Sequence, residues 1–384
     1  MRPPIVALLL SLPLAVSPVH ARVLRVAADG VGPDGASWAS AYPTISRALF
    51  DASRGDEVWV AQGAYPETVT LVDGVAIYGG FAGGETVREA RNPRANESLL
   101  PGPAGNGPCV ASSGVGAEAR LDGFSLRPRN PDSYAIACSA GSPTITGCRI
   151  DEAAIGVACS AGAAPVIAGN YIAGCMVGVN CSTASPAVVD NVIEACEFGV
   201  HTGLTSSPVI ANNTLASSGN ALDFRSGAPT TASNVIALNL VGVYLRSGGT
   251  PRLDHNLVWQ NANADYDGPA DPTGQDGNLR ADPHFADPVS SNYRILAASP
   301  CIDAGIGGVS TWPTDLDGAP RVSGPAVDIG AYEFRPGADV AQALRIAGGL
   351  APSTPADMGR LNPVVQPPST GVVDILDAVR LMRQ

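Results

Sequence analysis

Between about residues 140 and 262 the hydrophobic and polar positions recur every 21 or 22 residues. Prolines mark the period, at Pro143, Pro165, Pro186, Pro208, Pro229 and Pro251. Late in each repeat two apolar positions straddle a small or polar one: Val157/Cys159, Val179/Cys181, Val200/Thr202, Leu222/Phe224 and Val243/Leu245. The positions beside them read Ala158/Ser160, Asn180/Ser182, His201/Gly203, Asp223/Arg225 and Tyr244/Arg246. Such alternation predicts a strand with its apolar side turned inward and its polar side outward. Two shorter strands, for example Val166-Ile167 and Tyr171-Ile172, flank a column five residues after each proline: Cys148, Asn170, Asn191, Asn213, Asn234 and Asn256. The pattern predicts an all-β solenoid with three short strands per turn of about 22 residues, stacked as parallel sheets.

The Asn column has a physical rationale. Stacked turns lie about 4.8 Å apart, and an amide carries both donors and an acceptor. Identical amides can therefore bond up the column as a ladder; as plain turn formers they would be equally structural. Near the N-terminus, residues Ile45 to Ala52 fit a short amphipathic helix that would cover the open end of the solenoid, as terminal caps must.

These residues resemble the right-handed parallel β-helix of the pectin-lyase-like superfamily, including its Asn ladder at the second turn, over about residues 100–262. Residues 38–45, 55–61 and 76–81 resemble the start of such proteins. From 263 the period fails. Asp282-Pro283-His284-Phe285, Ser299-Pro300-Cys301-Ile302-Asp303-Ala304-Gly305, Asp315-Leu316-Asp317-Gly318 and Asp328-Ile329-Gly330-Ala331-Tyr332-Glu333 resemble a choice-of-anchor Q module. That resemblance implies a surface or extracellular setting and no reaction. The tail ends in Gly371-Val372-Val373-Asp374-Ile375-Leu376-Asp377, which resembles half of a dockerin calcium loop and its exit helix. It implies Ca²⁺ and a cohesin-like partner. The loop positions that should supply oxygen fall at Gln366, Pro368 and Thr370, however, and Pro368 has no side-chain oxygen. A plain two-helix tail is the alternative. The organisation read from sequence is a leader at 1–21, an N-terminal cap with first turns at 22–100, repeats at 101–262, a closing module at 263–335 and a tail at 336–384.

Composition adds a setting. Arg2, the apolar run from Ile5 to Val16, and Val19-His20-Ala21 fit an export leader cleaved after Ala21. The run is too short to span a membrane. The expected location is secreted or cell-surface, with the periplasm as a variant, and the expected state is a monomer. The net charge of −12, with no Lys, argues against nucleic-acid binding. Export permits disulfides among the eight cysteines. Cys138, Cys159 and Cys181 share one column and Cys175 and Cys196 another. Adjacent turns meet the Cα spacing of a disulfide, but parallel side chains strain its torsion. The pairs Cys175–Cys196 and Cys138–Cys159 therefore compete with free stacked thiols.

Reactive side chains cluster in one outward column. Asn180, His201, Asp223 and Tyr244 stand on successive turns, with Arg225 and Arg246 beside the last two. The resemblance places this column on the sheet where pectin-lyase-like enzymes bind substrate. As a lyase, an Arg would neutralise a uronate while His201 or Tyr244 moves the proton. As a glycosidase, a second carboxyl is needed beside Asp223, with Asp254 and Asp267 as candidates. As a binding face, Asn180, Arg225 and Arg246 would hold sugar without turnover. An ordinary polar outer face of a structural or adhesive protein is the remaining reading. No metal site is assigned. Asp265, Asp267, Asp271 and Asp276 form an acidic loop suited to Ca²⁺ or simply to solvent. No P-loop, GxSxG elbow or HExxH helix occurs.

Overall fold

The structure, a computed structural model, describes residues 21–335 apart from 204 and 247. The leader up to residue 20 and the dockerin-like tail lie outside them.

Each turn of chain contributes one strand to each of three parallel sheets. The first sheet has nine strands, from Val69–Thr70 to Ala264–Asp267. The second has ten, from Val23–Val26 to Arg252–Asp254, and the third nine, from Gly63–Ala64 to Leu257–Trp259. Pairing is in register from turn to turn: Val157 faces Val179, Val179 faces Val200, Val200 faces Leu222 and Leu222 faces Val243. The inward positions form one continuous core running the length of the molecule. Small residues let the turns approach: a Cβ built on Gly199 would lie 2.5 Å from the Ala221 carbonyl oxygen of the next turn.

The bends between sheets explain the Asn column. The residue before each ladder position adopts the left-handed conformation: Gly147, Gly169, Asp190, Asn212, Ser233 and His255. Gly, Asn and Asp tolerate that conformation best. The bend aims the following Asn into the interior. Asn191 Nδ2 then donates to Asn213 Oδ1 at 3.0 Å, Asn213 to Asn234 at 2.9 Å and Asn234 to Asn256 at 2.9 Å. Each backbone N–H donates to the same oxygen of the next turn. Asn170 joins Asn191 in the same way, and Asn278 extends the series past Asn256. A second ladder, which the sequence reading missed, occupies the next bend. There Ser218 N donates to Asn239 Oδ1 at 2.9 Å, and Asn239 Nδ2 donates to Asn261 Oδ1 at 2.9 Å. Its earlier rungs are Cys175 and Cys196, whose sulfurs stand where the amides later stand; Cys196 N donates to Ser218 Oγ.

All eight cysteines are free and buried, so the pairs Cys175–Cys196 and Cys138–Cys159 are not formed. Cys138, Cys159 and Cys181 face one another in register. Their side chains leave parallel strands in one direction, which opposes the right-angle torsion of a disulfide. Burial pushes the Cys138 and Cys181 thiols up to about 12.

The helix Ile45–Asp51 covers the N-terminal end. Ile45, Ala48 and Leu49 are buried, Thr44 Oγ1 accepts from Arg47 N, and the Glu67 carboxylate accepts from Ile45 N and Ser46 N. The segment 284–335 does not cap the far end. After a two-stranded hairpin, Phe285–Asp287 with Asn292–Ile295, it runs back along the outside of the solenoid as a strap. Tyr293 lies against Val192 and Ala216, and Val309 and Trp312 lie against Ala168, Val189 and Ala211. No helix among the described residues is long and apolar enough to cross a membrane.

Candidate functional site

The outward column on the first sheet forms as its spacing implied. Asn180 pairs in register with His201, His201 with Asp223, and Asp223 with Tyr244. The next member is Asp267, paired with Tyr244. It comes 23 residues after Tyr244, against 21 or 22 between the other members, so the proline offset points one position short of it. Asp254, the other candidate carboxyl, does not reach this face. It lies in the second sheet, bonded to Arg252 Nη2 at 2.6 Å and His255 Nδ1 at 2.5 Å. The floor upstream of the column is small: Ala111, Ala137 and Ala158, with Ser113, Ser139 and Ser160 alongside.

Asp223 stands on the outward side yet is fully buried. Its side chain is 0 % exposed and that of His201 14 %, with Nδ1 of His201 3.6 Å from Asp223 Oδ1. Asn220 Nδ2 donates to Asp223 Oδ2 at 3.5 Å. The Phe198 ring meets the His201 ring edge-on at 5.8 Å. Burial pushes the Asp223 carboxyl up, but His201, Asn220 and Arg225 together outweigh it and hold the carboxyl below its ordinary range. The result is a carboxylate that stays charged, touches His201 and is shielded from water.

Arg225 and Arg246 follow on successive turns just beyond the column and are exposed. Most arginines here pair with carboxylates, as Arg54 does with Asp73 and Arg91 with Asp122. Arg225 and Arg246 form no ion pair among the described residues; Arg246 lies over the Tyr244 ring at 5.6 Å. Two like charges on adjacent rungs repel, so neither is there to stabilise the sheet.

In the acidic loop the carboxylates have other partners. Arg280 pairs with Asp265 and Asp271, each at 2.9 Å, and Asp267 belongs to the column. Among the described residues no three His, Cys, Asp or Glu side chains converge as a metal requires.

Fold and column together define a right-handed parallel β-helix that carries a polar, partly cationic outer face. A family model described as a right-handed β-helix region matches residues 134–270. Among solved structures, the crystal structure of pectate lyase Pel9A is similar over 82 % of this chain and 96 % of that chain, with a TM-score of 0.54 and 14 % identity. No curated protein sequence matches this chain.

Proposed function

We propose that this protein binds an acidic polysaccharide along the outer face of its first sheet. The observation that carries the reading is the stacked, unpaired pair Arg225 and Arg246 in a chain of net charge −12. A guanidinium suits carboxylate or sulfate groups by its fork of donors, and two of them one rung apart suit a repeating anion. Asn180 and His201 add hydrogen-bonding groups and Tyr244 a ring edge. The Ala and Ser floor leaves room for the rest of the chain. The fold likeness to a pectate lyase supports a sugar-related role. The leader-like residues 1–21 and the anchor-like segment 263–335 support an exported or surface setting.

Catalysis is a second reading, favoured by the contact of His201 with the buried Asp223. A buried carboxylate orients and stabilises a protonated imidazole. With a uronate bound, His201 would take the proton from the carbon next to a carboxylate neutralised by Arg225 or Arg246; the freed electron pair would form a C=C bond as the bond to the leaving oxygen breaks, and that oxygen would take a proton from solvent. Hydrolysis would use Asp223 and Asp267. They stand two rungs apart, about 9.6 Å along the column, near the upper end of the roughly 6.5–9.5 Å of inverting pairs.

The test is affinity electrophoresis of the folded protein on acidic and neutral polysaccharides, with mass spectrometry of any products. Retardation by acidic chains only, abolished in Arg225→Gln/Arg246→Gln, is expected. Equal retardation by neutral chains, or none at all, overturns the reading and leaves a structural or adhesive role. Unsaturated fragments would indicate a lyase and water-added fragments a hydrolase.

A further inference from the structure

The strap meets the solenoid at a buried set of charges that the sugar-binding face does not use. Asp190, at the left-handed bend before Asn191, is 0 % exposed. It accepts from Ser310 Oγ at 3.0 Å and faces Arg321 Nε at 3.2 Å. Arg321 is itself buried. Its Nη2 donates to the Asp328 and Gly330 carbonyl oxygens and lies 3.5 Å from Glu333 Oε1. Further carboxylates of the strap lie around it. Asp315 pairs with Arg335 and accepts from Glu333 N, and Asp328 accepts from Asp303 N and Phe334 N. Asp303 lies beside Asp328. Asp190, Asp315, Asp328 and Glu333, all buried, thus confront the buried Arg321 and the part-exposed Arg335. Asp190 Oδ1 and Arg321 Nε and Nη1 also lack a well-formed hydrogen bond. One cation cannot neutralise both Asp190 and Glu333, and an unpaired buried charge is costly.

Apolar packing of Ile329, Ala331, Tyr332 and Trp312 on the outer faces, an ion pair of Asp317 with Arg94 and a set of hydrogen bonds also hold the strap to the solenoid. Ile306 N donates to Ser233 Oγ at 2.8 Å, Gly330 N to Ser233 O at 2.8 Å and Ala331 N to Thr214 Oγ1 at 3.1 Å. Asn212 Nδ2 donates to Asp328 O at 3.3 Å, and Tyr293 OH donates to Glu194 Oε2 at 2.5 Å. The strap adds no strand to any of the three sheets. It can therefore open while the solenoid stays paired.

From this geometry we infer that residues 305–335 form a proton-dependent latch, closed at acidic pH and loosened as the solution approaches neutrality, whose release uncovers the apolar row Ala168–Val189–Ala211. The direction follows from linkage. Burial pushes the Asp190 and Glu333 carboxyls up to about 7 against the pull of Arg321, while in an opened strap both return toward the ordinary value of about 4. The closed state holds the extra protons. Its advantage is fully present below about pH 4 and is lost as pH rises through 7.

Hydrogen exchange of the full mature protein, followed by mass spectrometry at pH 5 to 8.5 and corrected for intrinsic rates, tests this. Between pH 5 and 7 the opening equilibrium of strap amides should rise up to about ten-fold per pH unit for each titrating carboxyl, while amides of Val177–Ser182 and Asn220–Phe224 stay unchanged. Asp190→Asn should flatten the slope with the strap still protected. Should that variant not fold, Glu333→Gln serves the same purpose. Strap protection independent of pH, or a slope unchanged in the folded variant, overturns the inference.

Discussion

Replacing Asn213 by Ala isolates one rung of the main ladder. Asn213 is 0 % exposed. Its Oδ1 accepts from Asn191 N and Asn191 Nδ2, each at 3.0 Å, and its Nδ2 donates to Val188 O at 2.8 Å and to Asn234 Oδ1 at 2.9 Å. Truncation leaves the Asn191 backbone N–H without this acceptor, and deprives Val188 O, Ala211 O and Asn234 Oδ1 of one donor each. Asn191 Nδ2 keeps Ile167 O, and Asn234 Oδ1 keeps Asn213 N. One orphaned buried donor plus three weakened acceptors should cost about 2–4 kcal/mol, at roughly 1–3 kcal/mol for a fully orphaned group. Asn170→Ala should cost less, because Asn170 Oδ1 serves only Cys148 N. Stacked repeats need not unfold in one step, so melting midpoints should be read with hydrogen exchange in Ala187–Val189 and Thr214–Ala216. Asn263→Ala, an exposed position, is the control and should stay within about 0.5 kcal/mol of wild type. Asn213→Asp is the sharper comparison. A carboxylate would set acceptor against acceptor at Asn234 Oδ1, so it should cost at least as much as Ala. If Asp is the milder change, or Ala matches the control, these side chains serve as turn formers and the ladder argument fails.

Three further outcomes follow from the same geometry. Gly199→Ala should lower the melting midpoint by an amount equivalent to 2 kcal/mol or more, because overpacking in a close-packed core costs roughly 1–3 kcal/mol and the new Cβ would press the Ala221 carbonyl; an unchanged midpoint would contradict the close turn-to-turn contact. A thiol reagent should label no cysteine in the native protein and all eight in denaturant without reductant; fewer than eight would reveal a disulfide. Asp223 is held below the ordinary carboxylate range, so its charge contributes stability above about pH 4 that is lost as pH falls further; urea midpoints of wild type and Asp223→Asn should converge below that pH, and a gap that widens there would refute the sign.

Period-2 alternation and a fixed proline spacing made the three sheets, their register and the main ladder legible, because a solenoid repeats the same local physics each turn. The features missed are those where the repeat changes its chemistry. The second ladder begins as Cys175 and Cys196, so Asn239 and Asn261 were not seen to continue one column. Asp267 and Asn278 each stand one position later than the offsets from Pro251 and Pro272 predict. The burial of Asp223 depends on bulky neighbours in adjacent rungs, which alternation does not encode. The path of the strap is set by single polar contacts separated by about a hundred residues in sequence, such as Asn212 to Asp328, and no local pattern announces them.

The strap also bears on how this molecule can change in length. A solenoid ordinarily grows or shrinks by whole turns, since each touches only its neighbours. Here Asp190 must meet Ser310 and Arg321 while Ser233 meets Ile306 and Gly330. Duplicating the turn between Asp190 and Ser233 would separate those anchor points by about 4.8 Å more, with no matching addition in the strap. The turns from Ala168 to Ser233 are thereby fixed in number.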